Sequence, residues 1–233
     1  MKRLFAMTGG VMFIASLLYF AVSFDWRFSG TGGPWSIAAA RRPIVIDILL
    51  FSGFALHHSA FARLGLKRWV ARVAAASLER SIYVWIASLS FFLVCALWQP
   101  VPGVLWTLSG LTAVGLLGAQ AIAAVLAVAS ASRLDVLELA GIRQVLGEQS
   151  ADVHGVDERG PYAFVRHPIY LGWFGLVWLT PTMNGTRLVF AVVSSAYLLL
   201  AIPFEERDLR RTFGEAYGRY AERVRWRVLP FVY

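Results

Sequence analysis

Long apolar segments restrict the fold of this chain more than any other feature of its sequence. A helix needs about 20 apolar residues to span the hydrocarbon core of a bilayer, and segments of about that length recur along the chain. Only 15% of the residues are charged and 58% are hydrophobic, whereas soluble domains contain about 25% charged residues. We therefore predict an all-α integral membrane protein, built as a bundle of about five to six transmembrane helices.

The ends of these apolar segments set the predicted spans. The last two are separated by Pro181 and Gly185, which favour a turn, so together they predict a C-terminal helical hairpin. The fifth span is short for a complete crossing. In chain order, the six predicted spans are 4–24, 44–61, 81–98, 104–131, 169–182 and 187–203.

The basic residues lie mainly between the apolar segments. Cytoplasmic loops of membrane proteins are enriched in lysine and arginine. Their distribution therefore predicts a multi-pass protein of the bacterial inner (cytoplasmic) membrane with both termini in the cytoplasm. These loops also explain the net charge of +8, so we predict membrane lipids as surroundings and no nucleic-acid partner.

The tail from 204 to 227 has one apolar face and one charged face. Its apolar residues recur at spacings of three and four, as in an amphipathic helix, and its other face is rich in arginine and glutamate. We predict a single helix that lies at the cytoplasmic interface or packs over the hairpin. Its apolar face consists of Leu209, Phe213, Tyr217, Tyr220 and Val224.

A short segment before the fifth span carries the sharpest local pattern. Gly160 and Pro161 favour a loop, and Arg166 and His167 directly precede Pro168. Proline suits the first turn of a helix, where its missing N–H is not needed. We therefore predict that a helix begins at Pro168 and offers its free N–H groups to an anion. The Arg166 guanidinium can add a two-pronged grip on a carboxylate.

Two adjacent carboxylates, Glu205 and Glu206, directly follow the sixth span. Paired acids at a membrane boundary are costly unless they are solvated or used. Because the predicted hairpin returns the chain, we expect this pair to lie beside Arg166 and His167. Such a site suits a zwitterionic ligand that carries hydroxyl groups, such as S-adenosylmethionine.

Together these segments resemble the isoprenylcysteine carboxyl methyltransferase and phospholipid methyltransferase superfamily. The likeness covers residues 160–231 and rests on motifs that follow one another in order: Arg166-His167-Pro168-x-Tyr170-x-Gly172, Glu205-Glu206, Phe213-Gly214-x-x-Tyr217-x-x-Tyr220 and Pro230. The resemblance implies S-adenosylmethionine as the cofactor. It implies cofactor-binding roles for His167, Pro168, Tyr170, Leu171, Gly172, Glu205, Glu206 and Tyr217.

The rest of the chain is similar to one bacterial branch of this superfamily, the methanethiol S-methyltransferases. The similar segments are 54–63, 78–84, 98–100, 141–145, 180–183 and 205–209. This likeness implies S-methylation of a small thiol, with methanethiol converted to dimethyl sulfide. The chain departs from the branch at His57, where glutamine is frequent, and at Pro203, where a basic residue is usual, and both departures bear on the identity of the acceptor.

A thiol acceptor must lose its proton, because the thiolate is the nucleophile. We predict His58 as the first candidate base, His57 as the second, and His167 as the third if it does not bind the cofactor, with Arg166 as a further catalytic residue. A packed, hydrogen-bonded neutral histidine pair is the competing interpretation, and no metal site is predicted. We assign 1–131 to transmembrane helices on the substrate side and 132–233 to the catalytic region, with its opening on the cytoplasmic side.

Two other functions compete with small-thiol methylation. One is methylation of a lipid-borne acceptor, such as an isoprenylcysteine carboxylate or a phospholipid amine. The other is a non-enzymatic role as a membrane accessory protein of nitrogen-oxide metabolism, which predicts no cofactor binding. Within the catalytic region, the acidic loop 146–160, which contains His154, is a candidate lid over the cofactor.

Overall fold

The fold of this protein is dominated by long apolar helices. Five of the described helices are long and apolar enough to cross a membrane, which confirms the prediction of an all-α, multi-pass membrane protein. They are Lys2–Arg27, Ile37–Phe61, Glu79–Leu97, Gly110–Ala131 and Gly185–Phe213. The computed structural model describes residues 1–30, 33–61, 70, 72, 76–147 and 155–233.

Nine helices and two short strands are named here in chain order. The helices are α1 (Lys2–Val22), α2 (Ile37–Phe61), α3 (Glu79–Leu97), α4 (Gly110–Ala131), α5 (Val136–Leu139), α6 (Ile142–Leu146), α7 (Pro168–Trp178), α8 (Gly185–Phe213) and α9 (Glu215–Arg223). A π-helical turn, Ser23–Arg27, extends α1, and short 3₁₀ turns lie at Ala76–Leu78 and Gly160–Ala163. The strands are β1 (Val104–Thr107) and β2 (Thr182–Asn184), which pair as a two-stranded sheet.

Several predicted boundaries are wrong. The span predicted at 104–131 opens with strand β1, and its helix begins only at Gly110. The span predicted at 44–61 begins seven residues earlier, at Ile37, and contains Pro43. A helix in apolar surroundings can retain a proline because neighbouring groups satisfy the backbone that the proline frees, so proline was a poor boundary marker here.

The predicted helix over 204–227 is also wrong in its boundaries. Helix α8 continues through Pro203 to Phe213 without a break. The break comes at Gly214, whose φ of 54° is a conformation that glycine adopts readily, and α9 then ends at Arg223. The predicted apolar face is confirmed, because its five residues pack in one cluster although they belong to two helices and a following turn.

One compact unit of the chain contains α1, α2, α3, α5, α6 and the first residues of α8. An aromatic cluster fills its interior, with the fully buried ring of Phe190 at the centre. The ring of Phe190 lies 5.2 Å from Phe20 and 5.1 Å from Trp98, measured between centroids. Aromatic pairs at such separations stabilise a core beyond the area they bury.

Two buried charged side chains in this unit bind the ends of helices. The side chain of Arg187, near the start of α8, is buried, and its guanidinium donates to the carbonyl oxygen of Phe24 at 3.0 Å and 2.9 Å. Asp47 accepts a hydrogen bond from the backbone N–H of Gln99, just after α3, at 2.8 Å. The Arg187 bonds satisfy a carbonyl that a helix C-terminus leaves unpaired, whereas the Asp47 bond pairs a backbone N–H that lies just beyond the end of α3.

Gly141 allows the segment with α5 and α6 to lie directly against the start of α3. Its φ is 74°, and a methyl group added to it would lie 2.6 Å from the backbone nitrogen of Ser81. The Ser81 hydroxyl donates to the Gly141 carbonyl at 3.1 Å, and Arg80 donates to the Leu139 carbonyl at 3.0 Å.

We expect Gly141→Ala to lower the free energy of unfolding by about 1–3 kcal/mol, since it adds a steric clash to a strained backbone conformation. Thermal unfolding in detergent measures the effect. Gly147→Ala is the matched control, because Gly147 also has a φ of 74° but no described atom lies within 4 Å of an added methyl group. Equal losses of unfolding free energy in the two variants would show that the contact with Ser81 contributes nothing to stability.

The second compact unit contains α4, α7, α9 and most of α8. Helices α4 and α7 approach closely at Gly172, where an added methyl group would lie 2.7 Å from the Ala123 carbonyl oxygen and 2.8 Å from the Ala127 nitrogen. Gln120 on α4 donates to the Leu176 carbonyl on α7 at 2.6 Å. Small residues at such contacts let the backbones of membrane helices pack tightly.

Helix α7 is too short to cross a bilayer. Its 11 residues rise about 16 Å, roughly half of the hydrocarbon core. Trp173 and Trp178 on α7 donate to Ser194 and Ser195 on α8 at 3.1 Å and 2.9 Å. These bonds hold the two arms of the predicted hairpin together, and the hairpin is confirmed.

Candidate functional site

The start of helix α7 is built as the sequence pattern predicts. Pro168 is its first residue, with His167 as the N-cap. The backbone N–H groups of Arg166 and His167 donate to the carbonyls of Trp226 and Arg227 at 2.9 Å and 2.8 Å. The last residues of the chain therefore run beside this helix start and fix the direction in which its side chains leave.

The acid pair lies near the far end of α8. Glu206 follows Gly185 by about 31 Å along the helix axis, which is close to the thickness of the hydrocarbon core. The Arg166 Nε atom donates to Glu206 Oε1 at 2.7 Å, and these side chains are only 7% and 1% exposed. The predicted meeting of the α7 start with the acid pair is therefore observed.

Arg166 also closes the end of helix α9. Its Nη1 atom donates to the carbonyls of Ala221, Val224 and Arg225 at 3.3 Å, 2.8 Å and 3.1 Å. A cation at a helix C-terminus interacts favourably with the helix dipole and with the unpaired carbonyls. The described contacts of Arg166 are thus with the protein, and a direct contact with a ligand stays a prediction.

His167 lies between the two glutamates. Its Nδ1 atom is 3.6 Å from Glu205 Oε2, and its Nε2 atom is 3.6 Å from Glu206 Oε1. The His167 ring stacks on Tyr170 with centroids 5.3 Å apart, and the Tyr170 hydroxyl donates to Glu205 Oε1. Four of the residues predicted from the motif therefore form one contiguous polar cluster, which we call the acid–histidine cluster (His167, Tyr170, Glu205 and Glu206).

Sequence reasoning missed two arginines that complete the surroundings of Glu206. Arg210 Nη2 lies 3.6 Å from Glu206 Oε2, one helical turn further along α8. Arg227 Nε lies 3.4 Å from Glu206 Oε1. Nearby positive charge favours the ionised form of a buried carboxyl group, so these arginines and Arg166 support a charged Glu206. The spacing of Glu206 and Arg210 was a usable signal, whereas the position of Arg227 depends on the path of the tail.

Three buried polar atoms at this site have no hydrogen-bond partner among the described residues: Glu206 Oε2, His167 Nε2 and Tyr217 Oη. Burial raises the pKa of the Tyr217 phenol to about 12, and the charge of Glu206 adds to the rise. Tyr217 therefore stays protonated at neutral pH and keeps a hydrogen to donate. Buried polar atoms in folded proteins are nearly always paired, so this group of atoms indicates a polar ligand.

The remaining residues predicted to bind cofactor lie beside this cluster in other surroundings. Pro168 is buried at the start of α7, and Gly172 faces the backbone of α4. Leu171 lines an apolar groove of about 620 Å³ between α4 and α7. Contacts of these three residues with a cofactor stay predictions.

The two predicted bases lie in the other compact unit, on α2. The Tyr83 hydroxyl is 2.6 Å from His58 Nδ1, and the ring of Phe54 stacks on His58. His57 packs against Phe61 with centroids 4.7 Å apart, and its buried Nε2 atom lacks a hydrogen-bond partner within the described part of the chain. Of the candidate lid at 146–160, residues 148–154, including His154, lie outside the described residues, as do residues 62 and 63 of the segment 54–63.

Comparison with curated proteins finds relatives that match nearly the whole chain. Methanethiol S-methyltransferase 2 of Bradyrhizobium diazoefficiens is 36% identical, over 95% of this chain and 87% of the relative. Methanethiol S-methyltransferase of Mycobacterium tuberculosis is 34% identical, over 96% of each chain. Nurim of Bos taurus is 33% identical, over 79% of this chain and 78% of its own length. No family model matches the chain, and no solved structure matches it.

Proposed function

Because this chain belongs to the methanethiol S-methyltransferase family, we propose that it is a membrane enzyme that transfers a methyl group from S-adenosylmethionine to methanethiol and releases dimethyl sulfide. The names of its relatives support both the reaction class and the acceptor. The methyl donor follows from the reaction class and from the polar site on the second compact unit.

The observation that carries the proposal is the group of buried atoms around Glu206 that have no hydrogen-bond partner among the described residues. Glu206 Oε2 can only accept a hydrogen bond while the carboxylate is ionised, whereas Tyr217 Oη can donate one. His167 Nε2 takes either role according to its tautomer. S-Adenosylmethionine carries hydroxyl and ammonium donors and a carboxylate acceptor, so the atoms present fit this ligand.

We assign distinct roles to the residues of this site. Glu206, His167 and Tyr217 bind the cofactor through the buried atoms that have no hydrogen-bond partner among the described residues. Glu205 and Tyr170 form the more exposed edge of the site. Arg166 positions Glu206 and the end of α9. When bound, S-adenosylmethionine supplies an activated methyl group on a sulfonium sulfur, so the protein chiefly contributes orientation and the exclusion of water.

His58 is our candidate base for removing the thiol proton. A positioned general base contributes about 10²- to 10⁴-fold to a rate, so we expect His58→Ala to lower turnover by about 10²-fold or more. Cofactor affinity should change little, because the proton is removed only during transfer. Raising the pH should partly restore the rate of the variant, since more thiolate is then present.

Initial rates of dimethyl sulfide formation across pH, together with calorimetry of cofactor binding, measure these effects. Tyr83→Phe serves as a control for packing, because it removes the hydroxyl that bonds His58 and retains the ring. A His58→Ala variant with the wild-type rate at every pH would leave the packed neutral pair as the better interpretation.

The reaction itself is tested with purified protein in nanodiscs, methanethiol and S-adenosylmethionine labelled in the methyl group. We expect labelled dimethyl sulfide in the headspace, and much less of it with Glu206→Gln at cofactor concentrations below the raised Kd of the variant. Cofactor binding without any labelled thioether would overturn the acceptor, and the absence of cofactor binding would favour a non-enzymatic accessory protein.

A second acceptor class has one observation in its favour. The groove between α4 and α7 is lined by apolar side chains, among them Leu126, Phe174 and Trp178, and its volume of about 620 Å³ far exceeds the size of methanethiol. Pockets of this size hold larger ligands. Adding labelled cofactor to a lipid extract and finding label in an isoprenylcysteine or phospholipid fraction would support the lipid-borne acceptor.

The membrane location of the protein and the roles of its two segments are parts of the same proposal. The five long apolar helices support a membrane location, and the distribution of basic residues favours a bacterial inner membrane with both termini and the cofactor site on the cytoplasmic side. This orientation requires α7 and the residues up to Gly185 to complete a sixth crossing, because five crossings alone would leave the termini on opposite sides. We assign acceptor recognition to 1–131 and cofactor binding to 132–233.

A further inference from the structure

The last turn of the chain exposes four consecutive apolar residues. Leu229 and Pro230 are exposed, and Phe231 and Val232 are 86% and 75% exposed. Single exposed apolar residues are ordinary on protein surfaces, whereas contiguous exposed apolar patches mark contacts with other molecules or with a membrane. We call these four residues the C-terminal tip.

The tip is a fixed turn and not a frayed end. The N–H groups of Arg227 and Val228 both donate to the Tyr233 carbonyl, at 2.9 Å and 3.0 Å, and the N–H of Tyr233 donates to the Leu229 carbonyl at 3.0 Å. Within this turn Phe231 has a φ of 66°, which is unfavourable for a bulky residue. The fold therefore holds a large apolar side chain outward in a strained conformation.

The position of the tip in its unit favours contact with lipid. The backbone just before it pairs with Arg166 and His167, at the start of the apolar helix α7. Leu229 itself lines the apolar groove between α7 and α4, and α4 is long and apolar enough to span a membrane while hardly buried within the protein. The tip is thus continuous with the exposed apolar surface of a helix that is long enough to span a membrane.

The charged residues beside the C-terminal tip also favour contact with lipid. Arg223 and Arg225 are exposed just before it in the chain, and Trp226 contacts the Phe231 ring with centroids 5.4 Å apart. Tryptophan and arginine are favourable at the level of lipid headgroups, with apolar side chains deeper. An aqueous protein partner would not require this layered order.

We propose that the C-terminal tip inserts into the adjacent leaflet of the bilayer, with Phe231 and Val232 among the acyl chains and Arg223 and Arg225 at the phosphate groups. The tip is a membrane anchor additional to the spanning helices. The inference rests on the membrane fold and the tip geometry, and it holds whichever acceptor the enzyme uses.

The depth of the C-terminal tip in the bilayer tests this proposal directly. Single-cysteine variants are made in a Cys95→Ala background, because Cys95 is the sole cysteine of the chain, and are labelled with an environment-sensitive fluorophore. Phe231→Cys is compared with Val125→Cys on the exposed face of α4 and with Glu215→Cys, whose side chain is 94% exposed. Each is placed in nanodiscs of phosphatidylcholine and phosphatidylglycerol with spin-labelled acyl chains.

We expect the spin-labelled lipid to quench the label at 231 at least half as strongly as at 125, and to leave the label at 215 nearly unchanged. Iodide in the buffer should quench 215 several-fold more than 231. Equal iodide quenching at 231 and 215, with no lipid quenching at 231, would overturn the proposal. Protection at 231 that persists in lipid-free detergent and rises with protein concentration would instead show contact between copies.

A second pair of variants separates insertion from folding. A label at Val232→Cys is combined with Phe231→Asn, since asparagine tolerates a positive φ, or with Phe231→Leu, which keeps the apolar side chain. We expect at least a twofold loss of lipid quenching with asparagine and little loss with leucine, at similar unfolding temperatures. Equal lipid quenching in both variants would contradict the role of Phe231 in insertion.

Discussion

Glu206→Gln is expected to weaken S-adenosylmethionine binding by about 10- to 100-fold, the effect of losing a hydrogen bond to a charged group. The Glu206 carboxylate is 1% exposed, and its Oε2 atom has no hydrogen-bond partner in the described part of the chain. Glutamine preserves the shape of the side chain but removes the negative charge. Isothermal calorimetry in nanodiscs measures the change in Kd.

Glu205→Gln is the matched control, because Glu205 is its neighbour in the chain but 46% exposed. Exposed charges contribute little, so we expect less than about a fivefold effect on Kd. Thermal unfolding without cofactor must be recorded for both variants, since Glu206 also bonds Arg166. Wild-type affinity in a folded Glu206→Gln variant would remove Glu206 from the cofactor site.

Gly172→Ala is expected to reduce stability by about 1–3 kcal/mol, the usual cost of overpacking a close contact. The added methyl group would lie 2.7 Å from a backbone oxygen of α4, which cannot move without shifting the helix. Because Arg166 and His167, which contact Glu206, directly precede α7, we also expect weaker cofactor binding. Unfolding temperature and Kd are measured on the same preparation.

Gly118→Ala on α4 provides the control for this substitution. No described atom lies within 4 Å of a methyl group added to Gly118, and alanine favours a helix by about 1 kcal/mol over glycine. We therefore expect unchanged or slightly increased stability. If Gly172→Ala behaved like Gly118→Ala, the close approach of α7 and α4 would not be needed for folding.

Local chemistry made one side of the candidate cofactor site predictable. A proline after two basic residues predicts a helix start, and adjacent glutamates after an apolar span predict a membrane boundary. The hairpin then requires both ends to meet, and Arg166 and Glu206 do so at 2.7 Å. The partners of Arg166 on α9 were not predictable, because they depend on how the tail folds back.

Helix ends were less predictable than the existence of helices. Pro203 lies inside α8, where it was expected to mark an end, and Gly214 provides the break. Arginine side chains are mostly exposed to water, but tertiary contacts bury Arg187 against the end of α1. For Arg187, packing against a distant segment outweighed a local preference.

The amino-acid sequence by itself determined that the chain enters a membrane as helices, because apolar segments of about 20 residues have no other stable arrangement in lipid. It also determined the residue types at the α7 start and at the end of α8. Only the tertiary structure decided which buried polar atoms lack a hydrogen-bond partner among the described residues and which arginines surround Glu206. It also decided that the C-terminal tip faces outward. These features depend on contacts between residues far apart in the chain, and local sequence patterns carry no information about their distances.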